Sequence, residues 1–254
     1  MLIATRTLAG GGATFTTALV YAVAMRRPRI ITFDCYGTLI DWNEGISTAL
    51  IAEGERQGVH ADRKTILEAY HAAEPRVQSE HYRTYREVLT LLESEIATPL
   101  GWGPSASPGY LADSLPDWQP FADSNRSLDR LAAMGFELGI LSNIDDELLA
   151  ASRRHFDVDF ELLVTAQQMR SYKPAAPHFE RALETLGGDR SAMLHVAQSY
   201  FHDIQPAELM GIHTVWVNRL AEPAPDGDSS PTVEVADLDV AVDWVDQRFG
   251  GDGH

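Results

Sequence analysis

Four sets of side chains along the chain have the types and spacing that support acid–base or nucleophilic chemistry. They are Asp34 with Thr38, the pair Ser142-Asn143, Lys173, and Ser199 with Asp203. A carboxylate attacks an electrophilic carbon or phosphorus when a nearby cation keeps it ionised, and a second carboxylate can orient or deprotonate a water. Each residue also has a structural reading. Asp34, Ser142, Asn143 and Asp203 can cap the turn or helix that follows, and Lys173 can be a solvated loop lysine. Cys35 stands beside Asp34 as the only cysteine. It has no histidine close by in sequence and reads as a small packed thiol.

The elements that must position these groups are legible as short apolar runs alternating with helical patterns. Ile30–Phe33 is a β-branched and aromatic run that stops at Asp34, and Gly37 allows a sharp turn just after it. Phe136–Leu141 runs into Ser142-Asn143, and Met193–Ala197 runs into Gln198-Ser199-Tyr200-Phe201-His202-Asp203. Further strands are expected at Phe160–Val164 and Thr214–Val217. Helices are expected over Ser127–Met134, Asp145–His155, Pro177–Leu186, Pro206–Met210 and Val240–Phe249. Strands separated by helices predict a Rossmann-like, doubly wound parallel sheet, which carries its chemistry at the C-terminal strand ends. Between the first strand and the rest lies a helical block. Ile46, Leu50 and Ile51 recur at helical spacing, and helices are expected over Ile66–Val77 and Tyr82–Ile96. A Pro/Gly/Ser loop follows at Gly101–Gly109, then a short helix at Tyr110–Leu115. This predicts an all-helical insertion at 43–118 in an α/β core made of 25–42 and 119–254.

Asp34-Cys35-Tyr36-Gly37-Thr38-Leu39 resembles the first motif of the haloacid dehalogenase (HAD) superfamily, in which the first Asp is the nucleophile. Ser142-Asn143, Lys173 and Asp203 follow in the order of that superfamily's other motifs, and the insertion lies where its helical cap lies. The phosphatases of the superfamily carry a second Asp two residues after the nucleophile and an acid early in the fourth motif that helps to hold Mg²⁺. Here those positions are Tyr36 and Gln198. Mg²⁺ favours hard anionic oxygens, so the expected metal and cofactor content is none, with Mg²⁺ expected only under a phosphatase alternative. The pattern is similar to the metal-independent L-2-haloacid dehalogenases, and closer to L-azetidine-2-carboxylate hydrolase, which opens a strained ring by the same ester route. The closer likeness rests on Phe33–Trp42, Ile140–Asp145, Thr165-Ala166-Gln167, Ser171–Pro174 and His202-Asp203.

That resemblance implies a hydrolase acting on a small carboxylate. Asp34 would form the ester, Lys173 would hold Asp34 ionised, and Asp203 would direct the hydrolytic water. Thr38, Ser142 and Asn143 would hydrogen-bond Asp34 or the substrate carboxylate. Tyr36, Trp42, Tyr70, Ser199 and Tyr200 would contact substrate, although core packing is an alternative for the aromatic residues. Two departures stand out. The dehalogenases use an arginine early in the second cap helix near the leaving halide, and Ile66–His71 contains none. Their fourth motif has an Asn three residues before its Asp, where this chain has Tyr200. A catalytically idle binding protein is the remaining alternative.

Composition narrows the partners. A formal net charge of −17 over 254 residues argues against nucleic acid and anionic membrane. An anionic substrate must therefore be attracted by local positive groups. The single cysteine permits no intrachain disulfide, so a reducing compartment, the cytoplasm, is the expectation. Relatives imply a homodimer. Residues 1–24, rich in Gly, Ala and Thr, are expected to be an extension outside the fold, with a secretory signal as the alternative.

Overall fold

The computed structural model describes residues 25–251, except 80, 226 and 228. The expectation for residues 1–24 lies outside the described residues. Six strands form one wholly parallel sheet in the order β3-β2-β1-β4-β5-β6. They are β1 (Ile30–Phe33), β2 (Glu137–Ser142), β3 (Leu162–Thr165), β4 (Met193–Ala197), β5 (His213–Val217) and β6 (Val233–Val235). β1 lies between β2 and β4, with Phe33 level with Ile140 and Val196. The strand order reverses at β1, and in such sheets the crevice beyond the strand ends at this switch point is where ligands bind. All four residues of β1 are buried, as a strand covered on both faces requires.

Four helices follow β1: α1 (Trp42–Arg56), α2 (Arg63–Ser79), α3 (Tyr85–Ala97) and α4 (Tyr110–Ser114). α3 buries Tyr85, Val88, Leu89, Leu92 and Ile96, the face its spacing predicts. Thr84 and Glu87 form a reciprocal capping box at its start. A core residue completes that cap, because Asp145 accepts the Tyr85 and Arg86 N–H groups at 2.9 Å each. Tyr172 adds a second tie by donating its hydroxyl to the Arg83 carbonyl at 3.0 Å. The helical insertion is thereby held over the strand ends by buried polar contacts.

Outside the insertion run α5 (Ser124–Ala133), α6 (Asp146–Ser152), α7 (Ala166–Met169), α8 (Pro177–Thr185), α9 (Gln205–Leu209) and α10 (Leu238–Phe249). Two features go beyond the sequence reading. β6 is a three-residue edge strand with one buried residue, too short to show a period. Tyr200–Ile204 winds as a π-helical turn ahead of α9, with the Ser199 side chain accepting the His202 N–H. Such turns carry one extra residue and often re-aim side chains at functional sites.

Gly45 on α1 faces Trp118, which is buried where the chain returns from the insertion. A Cβ at position 45 would overlap the indole, whose ring packs edge-on against Tyr36 at 6.2 Å. We therefore expect Gly45→Ala to destabilise by about 1–3 kcal/mol, despite the better helix propensity of alanine. A lowered melting temperature checks this, and an unchanged or raised one would contradict it.

Candidate active site

Asp34 leaves the end of β1 into a turn closed by Leu39 N–H and Ile40 N–H to the Cys35 carbonyl, at 2.8 and 2.9 Å. Gly37 takes the left-handed φ of 96° that this turn demands. The turn brings the Thr38 hydroxyl back to Asp34 Oδ2 at 3.2 Å. Thr38 in turn accepts the Gln198 N–H at 2.9 Å, joining the β1 turn to the end of β4.

Lys173 reaches Asp34 from the loop before α8. Its Nζ donates to Asp34 Oδ1 at 3.0 Å, to Asp203 Oδ1 at 2.5 Å and to the Leu141 carbonyl at 2.8 Å. All three ammonium protons are used, as an ammonium 1% exposed requires. Asn143 fixes the backbone that carries it, accepting Lys173 N–H at 2.7 Å and donating to the Lys173 carbonyl at 3.0 Å. Asn143 thus spends its amide on holding Lys173. We expect Asn143→Ala to lower kcat by roughly tenfold, about 1.4 kcal/mol, with a smaller effect on KM. A change confined to KM would assign Asn143 to substrate binding instead.

Asp203 Oδ1 also accepts from His195 Nε2 at 3.0 Å, and His195 Nδ1 meets the Thr32 hydroxyl at 2.9 Å. As donor to the Asp203 carboxylate, Nε2 carries a proton. A buried polar relay therefore runs from Thr32 through His195, Asp203 and Lys173 to Asp34. Burial pushes the Asp34 carboxyl up from its ordinary range, against the pull of the Lys173 charge. Burial acts on Asp203 in the same sense. There the Lys173 charge and the His195 hydrogen bond outweigh it and hold the group at about 2. Lys173 is raised, because the two carboxylates outweigh its own desolvation.

The site opens into a cavity of about 690 Å³ between the strand ends and the helical insertion. Tyr36, Trp42, Ser142, Asn143, Ser199 and Tyr200 line it together with Asp34, Lys173 and Asp203. Tyr36 and Tyr200 turn their hydroxyls to Ser152 and to the Ser229 carbonyl, at 2.8 and 2.7 Å. Tyr70 departs from expectation. Ile66, Tyr70, Ala73 and Val77 recur on the inner face of α2 and are all buried, so Tyr70 belongs to the core behind the wall. Its ring supports Trp42 edge-on at 4.9 Å.

Four residues escape the sequence reading. His195 is the one polar residue in the buried run Met193–Ala197, and the apolar pattern of that run gives it no mark of its own. Arg219 lines the cavity mouth, paired with Asp123 at 2.9 and 3.0 Å and donating to the Thr38 carbonyl at 3.1 Å. Glu74 lies on the cap wall, four residues after Tyr70. Arg63, at the start of α2, also reaches the cavity, three residues before Ile66–His71. It is committed to Glu44 and to the Ser47 hydroxyl.

Behind the site, His178 on α8 touches the Ser142 carbonyl through Nε2 at 3.3 Å and leaves Nδ1 without a partner among the described residues. Burial, with the Lys173 charge, depresses its pKa to about 4. The unfolded chain takes up this proton near pH 6.5 and the folded one only near 4. Folding should therefore lose stability as pH falls through that interval, by up to roughly 3 kcal/mol. Melting curves of the native protein and His178→Phe across pH 4–7 test this, with the variant expected to show the flatter dependence.

Comparison with known proteins agrees with this architecture. A family model described as haloacid dehalogenase-like hydrolase matches residues 28–211, and the chain belongs to that family of hydrolases. It is 33% identical over 104 residues to haloacid dehalogenase-like hydrolase domain-containing protein 3 of Danio rerio, covering 41% of this chain and 43% of the relative. It is 30% identical over 142 residues to the (S)-2-haloacid dehalogenase of Pseudomonas sp. (strain YL), covering 55% of this chain and 61% of that enzyme. The chain thus spans about half the length of these curated relatives. The solved structure of the defluorinating L-2-haloacid dehalogenase Rha0230 superposes with a TM-score of 0.73 at 20% identity, over 87% of this chain and 96% of that one. No helix of the described residues is long and apolar enough to cross a membrane.

Proposed function

We propose that this hydrolase cleaves a carbon–halogen or strained carbon–nitrogen bond alpha to a carboxylate, through an ester of Asp34 and without a metal. The observation that carries the reading is Lys173 Nζ standing between Asp34 and Asp203. It supplies inside the site the positive charge that a cation would otherwise bring. Among the described residues, no three acidic, histidine or cysteine side chains converge as metal ligands. The dehalogenase activity named for the relative from Pseudomonas sp. (strain YL) supports the substrate class.

In the first step an Asp34 oxygen attacks C2 and the leaving group departs with the bonding electrons, giving an aspartyl ester. Lys173 and Thr38 hold the carboxylate in place. Ser142 at the cavity wall and the backbone amides beside it are the proposed contacts for the substrate carboxylate. In the second step a water directed by Asp203 attacks the Asp34 carbonyl carbon. Asp203 Oδ2 accepts no hydrogen bond among the described residues, whereas Oδ1 is shared by Lys173 and His195. The N–H groups of Cys35 and Tyr36, which have no backbone partner among the described residues, are the proposed donors to the developing oxyanion. A cap at 43–118, a core of 25–42 and 119–254, a homodimer and a cytoplasmic location complete the reading.

The deciding assay is product release in chelator from each enantiomer of 2-chloropropionate and from L-azetidine-2-carboxylate. An aryl phosphate, with and without Mg²⁺, is the control. Turnover of a carboxylate in chelator is expected. Silence there, with Mg²⁺-dependent phosphate release, would replace this reading with a phosphatase.

A further inference from the structure

The cap wall of the cavity carries a carboxyl group that the proposed ester chemistry does not use. Glu74 Oε1 accepts from the Tyr70 hydroxyl at 3.1 Å, the Gln78 amide at 3.1 Å and, more distantly, the Tyr85 hydroxyl at 3.4 Å. Oε2 accepts no hydrogen bond, and Glu74 forms no ion pair, among the described residues. Burial raises its pKa, the expected response of a carboxyl group left without a cation. Trp42 and Tyr85 line the same wall.

The cavity's cations are otherwise engaged. Arg63 is bound by Glu44, Lys173 by Asp34 and Asp203, and Arg219 by Asp123. A departing halide would enter a cavity whose arginines and lysine are already paired and whose cap wall presents an acid. A departing nitrogen has the opposite need, because it must carry an extra proton when its bond to carbon breaks. An ammonium also suits an aromatic wall backed by a carboxylate.

We propose that Glu74 is the counter-ion for a protonated leaving nitrogen, so that the preferred substrates of this site bear a basic nitrogen on C2. The inference rests on the aspartyl-ester reading and selects between its two leaving groups. Glu74 as carboxylate pairs with the substrate ammonium. Asp34 forms the C–O bond, and the C–N bond breaks with its electron pair passing to nitrogen. The product nitrogen is a neutral amine, still held at Glu74. Hydrolysis of the ester restores the Asp34 carboxylate, forms the alcohol and releases one proton, which the amine takes up.

Two measurements test this. In the first, kcat/KM is measured for L-azetidine-2-carboxylate and for 2-chloropropionate with the native enzyme and Glu74→Gln. The ratio of nitrogen to halide substrate should fall by about a hundredfold or more, as expected when one member of a desolvated charge pair is neutralised. An unchanged ratio overturns the assignment. The second measures binding to Asp34→Asn, comparing L-azetidine-2-carboxylate with cyclobutanecarboxylate, which has the ring without the nitrogen. Preference for the nitrogen ligand, lost on adding Glu74→Gln, is expected. Equal binding of the two ligands overturns the proposal. If neither carboxylate is turned over but the Glu74-dependent preference is found, the ester reading falls while the role of Glu74 in binding stands.

Discussion

Asp34→Asn should abolish turnover, lowering kcat by a factor of roughly 10⁴ or more, as loss of a covalent nucleophile does elsewhere. The variant should leave the fold intact. Asparagine keeps the shape of the side chain, and its one carbonyl oxygen still accepts from Lys173, while the Thr38 hydroxyl, which donates to the other Asp34 oxygen, loses that acceptor. The buried set in the native protein is two carboxylates and one ammonium, so the substitution removes the surplus negative charge. Burying one charge fewer costs less desolvation, and the melting temperature should be unchanged or raised. Lys173→Met is the contrasting variant. It leaves Asp34 and Asp203, both buried, without their shared cation, and should destabilise by about 3–5 kcal/mol. Activity assays on purified, folded Asp34→Asn decide the matter, and retention of more than a few per cent of native kcat would remove Asp34 as nucleophile.

Much of this site was legible because its members stand at strand ends, where sequence marks position sharply. An apolar run stopping at Asp34, Ser142 or Gln198 fixes both the strand and the side of the sheet on which the next residue emerges. Reach across the fold was not legible. Asn143 reads equally well as a helix cap or a substrate ligand, and only the fold shows its amide closed on the Lys173 backbone. Tyr70 illustrates the same limit on a helix. Trp42, Tyr70 and His71 are all aromatic or imidazole side chains near the expected cavity. The rotation of α2 decides that Tyr70 faces the core, while His71 and Glu74 reach the cavity. His195 was concealed for another reason, since a single polar residue in an apolar run does not change the period that identifies a strand. Its role depends on two partners from different elements, Thr32 on β1 and Asp203 beyond β4.

Asp203→Asn should separate the two chemical steps, because it leaves the attacking carboxylate in place while altering the group that directs water. Ester formation should proceed, and hydrolysis should slow by roughly 10²–10⁴-fold. Mass spectrometry of the variant after mixing with a turned-over substrate should then show an adduct on the peptide containing Asp34. Its mass should be that of the substrate less the halide, or that of the whole substrate where a ring opens and the nitrogen stays attached. A carboxyl group held at about 2 is a weak proton acceptor at neutral pH. Asp203 is therefore better suited to orienting the water through Oδ2 than to keeping its proton. It should also stay ionised throughout the acidic range, so any acid limb above pH 3 in the hydrolytic step must come from another group. His195 gives an independent check. His195→Phe removes the Nε2–H donor from Asp203 Oδ1 and leaves Lys173 as that oxygen's only partner among the described residues, so the Asp203 pKa should rise. Hydrolysis should slow less than in Asp203→Asn, and an acid limb belonging to Asp203 should enter the profile above the pH at which the native group titrates. A full native rate in His195→Phe, with an unmoved pH profile, would show that the relay behind Asp203 only fills the core. An Asp203→Asn enzyme that turns over normally without an adduct would assign the direction of water to another side chain.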